Sequence, residues 1–136
     1  KHCGWYPDKK IRIFNKQSVK WQGELVHETL FLPENTQIIP LKGDLLHYSY
    51  KNTSSHLQQF DKFTTLTAQE AHKNGKKVSL FGLYFRPKWK FLKDYIFKLG
   101  FLDGYAGYQV CKLSATATFL KYAKLKELND NENTNK

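Results

Sequence analysis

The sequence contains no methionine, only two cysteines and only four prolines among its 136 residues, and each scarcity excludes something. A chain that opens Lys1-His2-Cys3-Gly4-Trp5 has neither an initiator nor an apolar signal region, so it is expected to be a fragment of a longer protein. Cys3 and Cys111 stand far apart, with no Cys-x-x-Cys or His-rich spacing around them. That argues against a zinc site and against a disulfide scaffold, and makes a reducing compartment the simpler assumption. The longest mostly apolar runs, Ser79 to Phe85 and Ser114 to Leu120, fall far short of the roughly 20 residues that span a bilayer. No membrane-crossing helix is expected.

What is present in excess is positive charge and aromatic surface. Phe, Trp and Tyr make up 15% of the residues, so ring faces are available along the whole chain. The formal charge is +10, and it is unevenly placed: residues 73–126 carry twelve Lys or Arg against only Asp94 and Asp103, while the remainder is balanced. The length fits one domain with a modest core, and the charge distribution divides it into two parts with different tasks.

Period-two patterns dominate residues 10–50 and predict short antiparallel strands at Ile11-Arg12-Ile13-Phe14, Ser18 to Trp21, Leu25 to Leu32 and within Gln37 to Tyr50. Asn15-Lys16-Gln17 and Pro33-Glu34-Asn35 supply turn residues, and Pro40 and Gly43 interrupt the last run. From residue 53 the period becomes helical. Thr53, Ser54 and Ser55 offer capping hydroxyls, Ser55 and Gln58 fit a capping box, and Leu57, Phe60, Phe63, Thr64, Leu66 and Ala71 form a stripe that stops at Gly75, predicting a helix over about 53–74. A second helix over about 87–99 is expected to begin at Pro87, with Trp89, Leu92, Ile96 and Leu99 on one face. A third is expected over about 104–128, followed by an asparagine-rich disordered tail, 129–136. The expected fold class is therefore α+β.

The stretch Trp21-Gln22-Gly23-Glu24-Leu25-Val26-His27-Glu28 is the best candidate for chemistry, because it ends with an imidazole beside a carboxylate. Adjacent residues of a strand point to opposite faces, so without a bulge at Gly23 only one of His27 and Glu28 faces a given cleft. One acts and the other supports.

Six stretches occur in a telling order: Trp5-Tyr6-Pro7-Asp8, Arg12-Ile13-Phe14, Val26-His27-Glu28, residues 41–50, residues 97–104 and Phe119-Leu120-Lys121-Tyr122-Ala123-Lys124-Leu125. Together, from about Trp5 to Leu128, they resemble the C-terminal half of bacterial family 2 glycosyltransferases, with the lipopolysaccharide inner-core glucosyltransferases as the nearest group. The resemblance implies a GT-A type α/β enzyme that inverts configuration while moving a hexose from a nucleotide-sugar to a glycan acceptor. It also implies a divalent metal, Mg or Mn, held by an Asp-x-Asp motif. This sequence contains no Asp-x-Asp, and it has Leu25 where the family often has proline. Residues 1–75 are then expected to be the acceptor-side and catalytic-base part and 76–128 a basic helical extension, with the donor-binding half missing upstream and the fragment inactive alone.

Inverting transfer needs a base for the acceptor hydroxyl and positive charge near the departing diphosphate. The resemblance gives the base role to Glu28, with His27 orienting it or touching the leaving group; the plainer alternative is a lysine-paired Glu28 and a core His27. His47 is a candidate for the diphosphate or metal, or a packed histidine beside Tyr48 and Tyr50. Asp44 binds sugar hydroxyls or closes a turn. Trp5, Trp21, Tyr48 and Tyr50 stack on sugar faces or fill a core.

The basic segment has three readings. Lys88, Lys90, Lys93 and Lys98 meet anionic lipid on the cytoplasmic face of the bacterial inner membrane while Trp89, Phe91, Tyr95, Phe97 and Phe101 enter the headgroup boundary; or the lysines bind nucleic-acid phosphates; or they form a solvated face. The absence of any nucleic-acid reader motif and the family resemblance favour the membrane, which suits a lipid-linked acceptor. The alternative of another class is a non-catalytic basic module for anionic membrane or nucleic acid.

Overall fold

The computed structural model describes residues 2–22, 29–46 and 50–134. Two short strands, β1 (Lys20–Gln22) and β2 (Thr29–Phe31), pair antiparallel with Trp21 opposite Leu30. Three helices follow: α1 (Thr53–Lys73), α2 (Leu80–Leu92) and α3 (Gly104–Thr134), with a π turn (Lys93–Phe97) and a 3-10 turn (Gly100–Asp103) making the corner between the last two. This is a small α+β arrangement, as expected in class.

The strands are fewer than the alternation predicts. Among the described residues, neither Ile11 to Phe14 nor the run after Gln37 pairs with anything. Ile13, Ile38, Ile39, Leu41, Leu45 and Leu46 are 62–80% exposed, so they have no layer to pack against, and β preference is largely a preference for such packing. Both expected turns are present. The Ser18 N–H donates to the Asn15 carbonyl at 3.0 Å and the Gln17 N–H to Asn15 Oδ1 at 3.0 Å, while the Thr36 hydroxyl donates to the Pro33 carbonyl at 2.6 Å. The first precedes β1 instead of joining two strands.

α1 starts and stops as its sequence predicts, with one correction. The cap is Asn52, whose Oδ1 accepts from the Ser55 N–H at 2.8 Å while the Asn52 N–H donates to Ser55 Oγ at 3.3 Å. Ser55 is thus the last residue of the capping box and not its first. At the other end Gly75, with φ +65°, donates to His72 O at 2.8 Å and Lys76 donates to Ala71 O at 3.0 Å, the paired bonds of a Schellman stop. The inward face is His56, Thr64, Ala68 and Ala71; Leu57 and Phe63 from the expected stripe are exposed. Small residues win that face because α1 lies close along α3, where Ala68 and Ala71 pack on Leu125 with Val78, Tyr122 and Leu128 around them.

α2 begins seven residues before the expected start. Ser79 caps it by accepting from the Gly82 N–H at 3.1 Å, and Pro87 lies inside the helix. Proline forfeits the hydrogen bond to the Leu83 carbonyl there, while the Leu83 side chain is buried. α3 runs through Thr134, beyond the expected end at Leu128, because the asparagine-rich segment has polar partners: Asn129 Oδ1 meets His72 Nδ1 at 2.9 Å, and Asn129 Nδ2 donates to Lys76 O at 3.3 Å.

At the corner Asp94 is 2% exposed and paired with Lys90 Nζ at 2.8 Å and Lys98 Nζ at 3.2 Å. The Lys98 ammonium attracts Asp94 Oδ1 but is not aligned for a hydrogen bond to it. Residues 2–5 close over the same corner. His2 sets its N–H and its Nδ1 each 2.8 Å from the Asp103 carboxylate, and these bonds, the side-chain one first, hold that carboxyl well below the usual carboxylate range.

Candidate functional site

Two surfaces carry the residues singled out by the sequence. The first lies where the chain enters α1. Trp5 stands edge-on to His56 and tilted to Tyr50, with ring centroids 6.2 Å apart in both cases, and His56 stacks on Tyr50 at 3.6 Å and lies tilted against Phe60 at 4.2 Å. The Tyr6 hydroxyl donates to both oxygens of Asp44 at 3.4 Å, which ties Asp44 to the residue that follows Trp5. Rings next to an exposed carboxylate suit a sugar, whose C–H face covers an aromatic ring while its hydroxyls donate to carboxylate oxygens.

His56 is the residue the sequence reading passed over. It is buried, and its Nε2 has no hydrogen-bond partner among the described residues. Burial lowers its pKa and raises that of Tyr50. The sign follows directly: the folded state favours neutral imidazole, so the stability His56 contributes is full above the ordinary histidine value near 6.5 and is lost as pH falls through it toward the lower folded value. Chemical denaturation is therefore expected to show lower stability at about pH 5.5 than at about pH 7.5, and His56→Phe is expected to flatten that slope.

The other predicted acceptor residues are distributed differently. Trp21 lies apart from the cluster, 63% exposed on β1, with its ring edge-on to Phe14 at 6.2 Å. Glu28 and His27, the proposed base pair, and His47 and Tyr48 lie outside the described residues.

The second surface is the flank of α2. Phe81, Phe85 and Trp89 stack in series at 5.4 and 6.4 Å, and Phe97 joins Trp89 at 6.0 Å across the π turn. Their exposures are 75%, 50%, 46% and 67%, so this is a continuous aromatic face turned to the outside. Beside it, α2 and α3 leave a groove of about 590 Å³ floored by Leu83 and Ala115, walled by Trp89 and Phe119, and bordered by Lys88 and Lys112.

The aromatic and basic residues expected to lie together on this segment are divided between two directions. Phe91 and Tyr95 turn instead onto α3, where both meet Tyr108 edge-on at 5.9 and 6.0 Å, and Lys90 and Lys98 are engaged by Asp94. Phe81 and Phe85 belong to the face but precede Pro87, so a helix begun at Pro87 omits them. The signal that finds them is Ser79, a capping residue directly before the apolar run.

Among the described residues no three His, Cys, Asp or Glu side chains gather to hold a metal ion, and no helix is long and apolar enough to cross a membrane.

No family model and no solved structure matches the chain. It is 28% identical over 128 residues to an uncharacterized glycosyltransferase of Rickettsia typhi, covering 89% of this chain and 44% of that protein. It is 27% identical over 128 residues to one of Rickettsia prowazekii, with the same two coverages, and 25% identical over 127 residues to one of Rickettsia felis. The chain spans less than half the length of these curated relatives. A likeness that runs through nearly the whole chain supports a glycosyltransferase family for it.

Proposed function

We propose that this chain is the acceptor-binding and membrane-associating portion of a sugar transferase, which moves a hexose with inversion from a nucleotide-sugar to a lipopolysaccharide-core or similar surface glycolipid at the cytoplasmic face of a bacterial inner membrane. The observation that carries the reaction class is the likeness to three Rickettsia glycosyltransferases along most of the chain. The relatives' greater length leaves room for a donor-binding half with an Asp-x-Asp motif. The exposed apolar run Ile38, Ile39, Leu41, Leu45 and Leu46 supplies surface for such a half to cover.

In this reading Glu28 takes the proton of the acceptor hydroxyl as that oxygen attacks the anomeric carbon, and His27 orients the carboxylate or meets the leaving group. Trp5 and Tyr48 offer ring faces to the acceptor sugar, and Asp44 accepts from its hydroxyls, with Trp21 at a separate position on β1. His47 serves the diphosphate. This reading assigns a divalent Mg or Mn ion mainly to the remainder of a full-length enzyme.

The membrane role rests on the α2 flank. Phe81, Phe85, Trp89 and Phe97 enter the headgroup boundary, while Lys88, Lys93 and Lys112 meet anionic lipid at about 1 kcal/mol each. Phe85→Ala and Trp89→Ala are each expected to weaken binding to phosphatidylglycerol vesicles by about tenfold, consistent with about 1.5–3 kcal/mol for a buried aromatic ring. Sedimentation with vesicles reads this directly, and neutral vesicles are expected to bind less.

The same exposed ladder favours one other reading, a non-catalytic basic module on anionic membrane. Incubating the full-length protein with nucleotide-hexoses and inner-membrane glycolipid separates the two. Sugar transfer supports the enzyme; vesicle binding without transfer leaves the module.

A further inference from the structure

Residues 2–5 belong to no helix or strand, yet they are fastened to the corner between α2 and α3. The Cys3 N–H donates to the Lys98 carbonyl at 3.1 Å, and His2 is tied to Asp103. That fastening lays Cys3 Sγ 3.3 Å from Cys111 Sγ on α3. Gly100 leaves the space for them, since a Cβ there would stand 2.9 and 2.8 Å from the two sulfurs. Both are free thiols, 5% and 0% exposed. A single buried cysteine acts as a small hydrophobe. Two whose sulfurs touch, brought together from 108 positions apart in sequence, are one oxidation away from a covalent bond.

We infer that Cys3 and Cys111 form a reversible thiol–disulfide site that answers to small-molecule disulfides of the glutathione class and, when oxidised, latches residues 2–5 onto α3. Release of residues 2–5 from the corner exposes Cys3 first, because Cys111 sits within a helix. Burial and the neighbouring Cys3 together push the Cys111 thiol up to about 12, and the same release removes the second of these causes. The Cys3 thiolate attacks one sulfur of the small disulfide, and one small thiol leaves. The Cys111 thiolate then attacks the Cys3 sulfur of the mixed disulfide, and the second small thiol leaves. Two protein thiols are oxidised, one small disulfide is reduced to two thiols, and the two protons end on the departing thiols.

In a reducing compartment the pair rests as thiols. Oxidation fixes the segment that carries Trp5, whose ring meets Tyr50 and His56, so the latch holds one wall of the aromatic cluster in place. This inference stands on the corner's geometry and is independent of the transferase reading.

The test uses the full-length protein, reduced, freed of reductant without air, and exposed to oxidised glutathione before alkylation, digestion and mass spectrometry. The expected result is a cross-linked peptide pair joining Cys3 to Cys111, two hydrogens lighter than the separate peptides, found in monomeric protein and reversed by dithiothreitol. Cys111→Ala is expected to trap Cys3 as a lasting glutathione adduct. Glutathione adducts on both cysteines without a cross-link, a cross-link only between chains, or two thiols that stay alkylatable would each overturn it. The wild-type result stands whether or not the variant folds.

Discussion

Glu28→Gln in the full-length protein is expected to cut sugar transfer by about a thousandfold while donor binding stays unchanged. A sugar hydroxyl is a poor nucleophile until its proton moves, and a positioned base contributes on the order of 10²–10⁴ to such a step. Glutamine keeps the shape of the side chain but cannot accept that proton, so the loss is expected in kcat and not in donor affinity. The acidic limb of the pH–rate profile, set by the carboxylate, is expected to vanish with it. Glu28→Asp keeps the chemistry and shortens the reach, so it is expected to retain part of the rate. Unchanged transfer by Glu28→Gln removes Glu28 from the mechanism, and a parallel loss of donor binding turns it into a structural residue.

Gly107→Ala is expected to destabilise the fold by about 3 kcal/mol or more. A Cβ at position 107 collides with the Gly100 carbonyl and stands 3.0 Å from Asp103 Cβ, so the first turns of α3 cannot seat on the corner. Neither obstacle is a flexible side-chain tip. Loosening the corner also uncovers the thiols packed there, so urea denaturation and maleimide labelling of Cys3 and Cys111 are expected to change together. Gly75→Ala is the fitting comparison. Its φ is +65° at the stop of α1 but nothing lies within 4 Å of the added methyl, so only backbone strain of about 1–2 kcal/mol is expected. Equal effects at the two positions would contradict a steric cause at Gly107.

The helices were more legible than the strands, and the reasons lie in particular residues. Helix α1 declares itself locally, through Asn52 and Ser55 at its start and Gly75 after it, because capping and stopping use neighbours in sequence. The inward face was less legible: Leu57 and Phe63 look like core residues, but close approach to α3 selects Thr64, Ala68 and Ala71. At α2, Pro87 matches a first-turn position so well that it hides the true cap at Ser79. The runs at Ile11 to Phe14 and after Gln37 alternate as strands do, but a strand is completed by a partner, and alternation alone cannot supply one. Of the candidate site, the nearness of Trp5, Asp44 and Tyr50 was hidden because Tyr6 and His56, the residues that join them, carry no pattern. The contact between Cys3 and Cys111 was equally hidden, since spacing in sequence says nothing about a segment folded back across a helix corner.

Helices α1 and α2 make no contact with each other among the described residues; both pack on α3, which follows them in the chain. Synthesis runs from the N-terminus, so these two helices emerge before the element that unites them. Until α3 has left the ribosome, Ala68 and Ala71 wait for Leu125, and Leu83 has no groove floor to share with Ala115. A nascent chain halted before Gly104 therefore carries two amphipathic helices with nothing to bury, which makes it a chaperone client and a substrate for quality-control proteases. Completion of the last helix is the event that turns those helices into a folded unit.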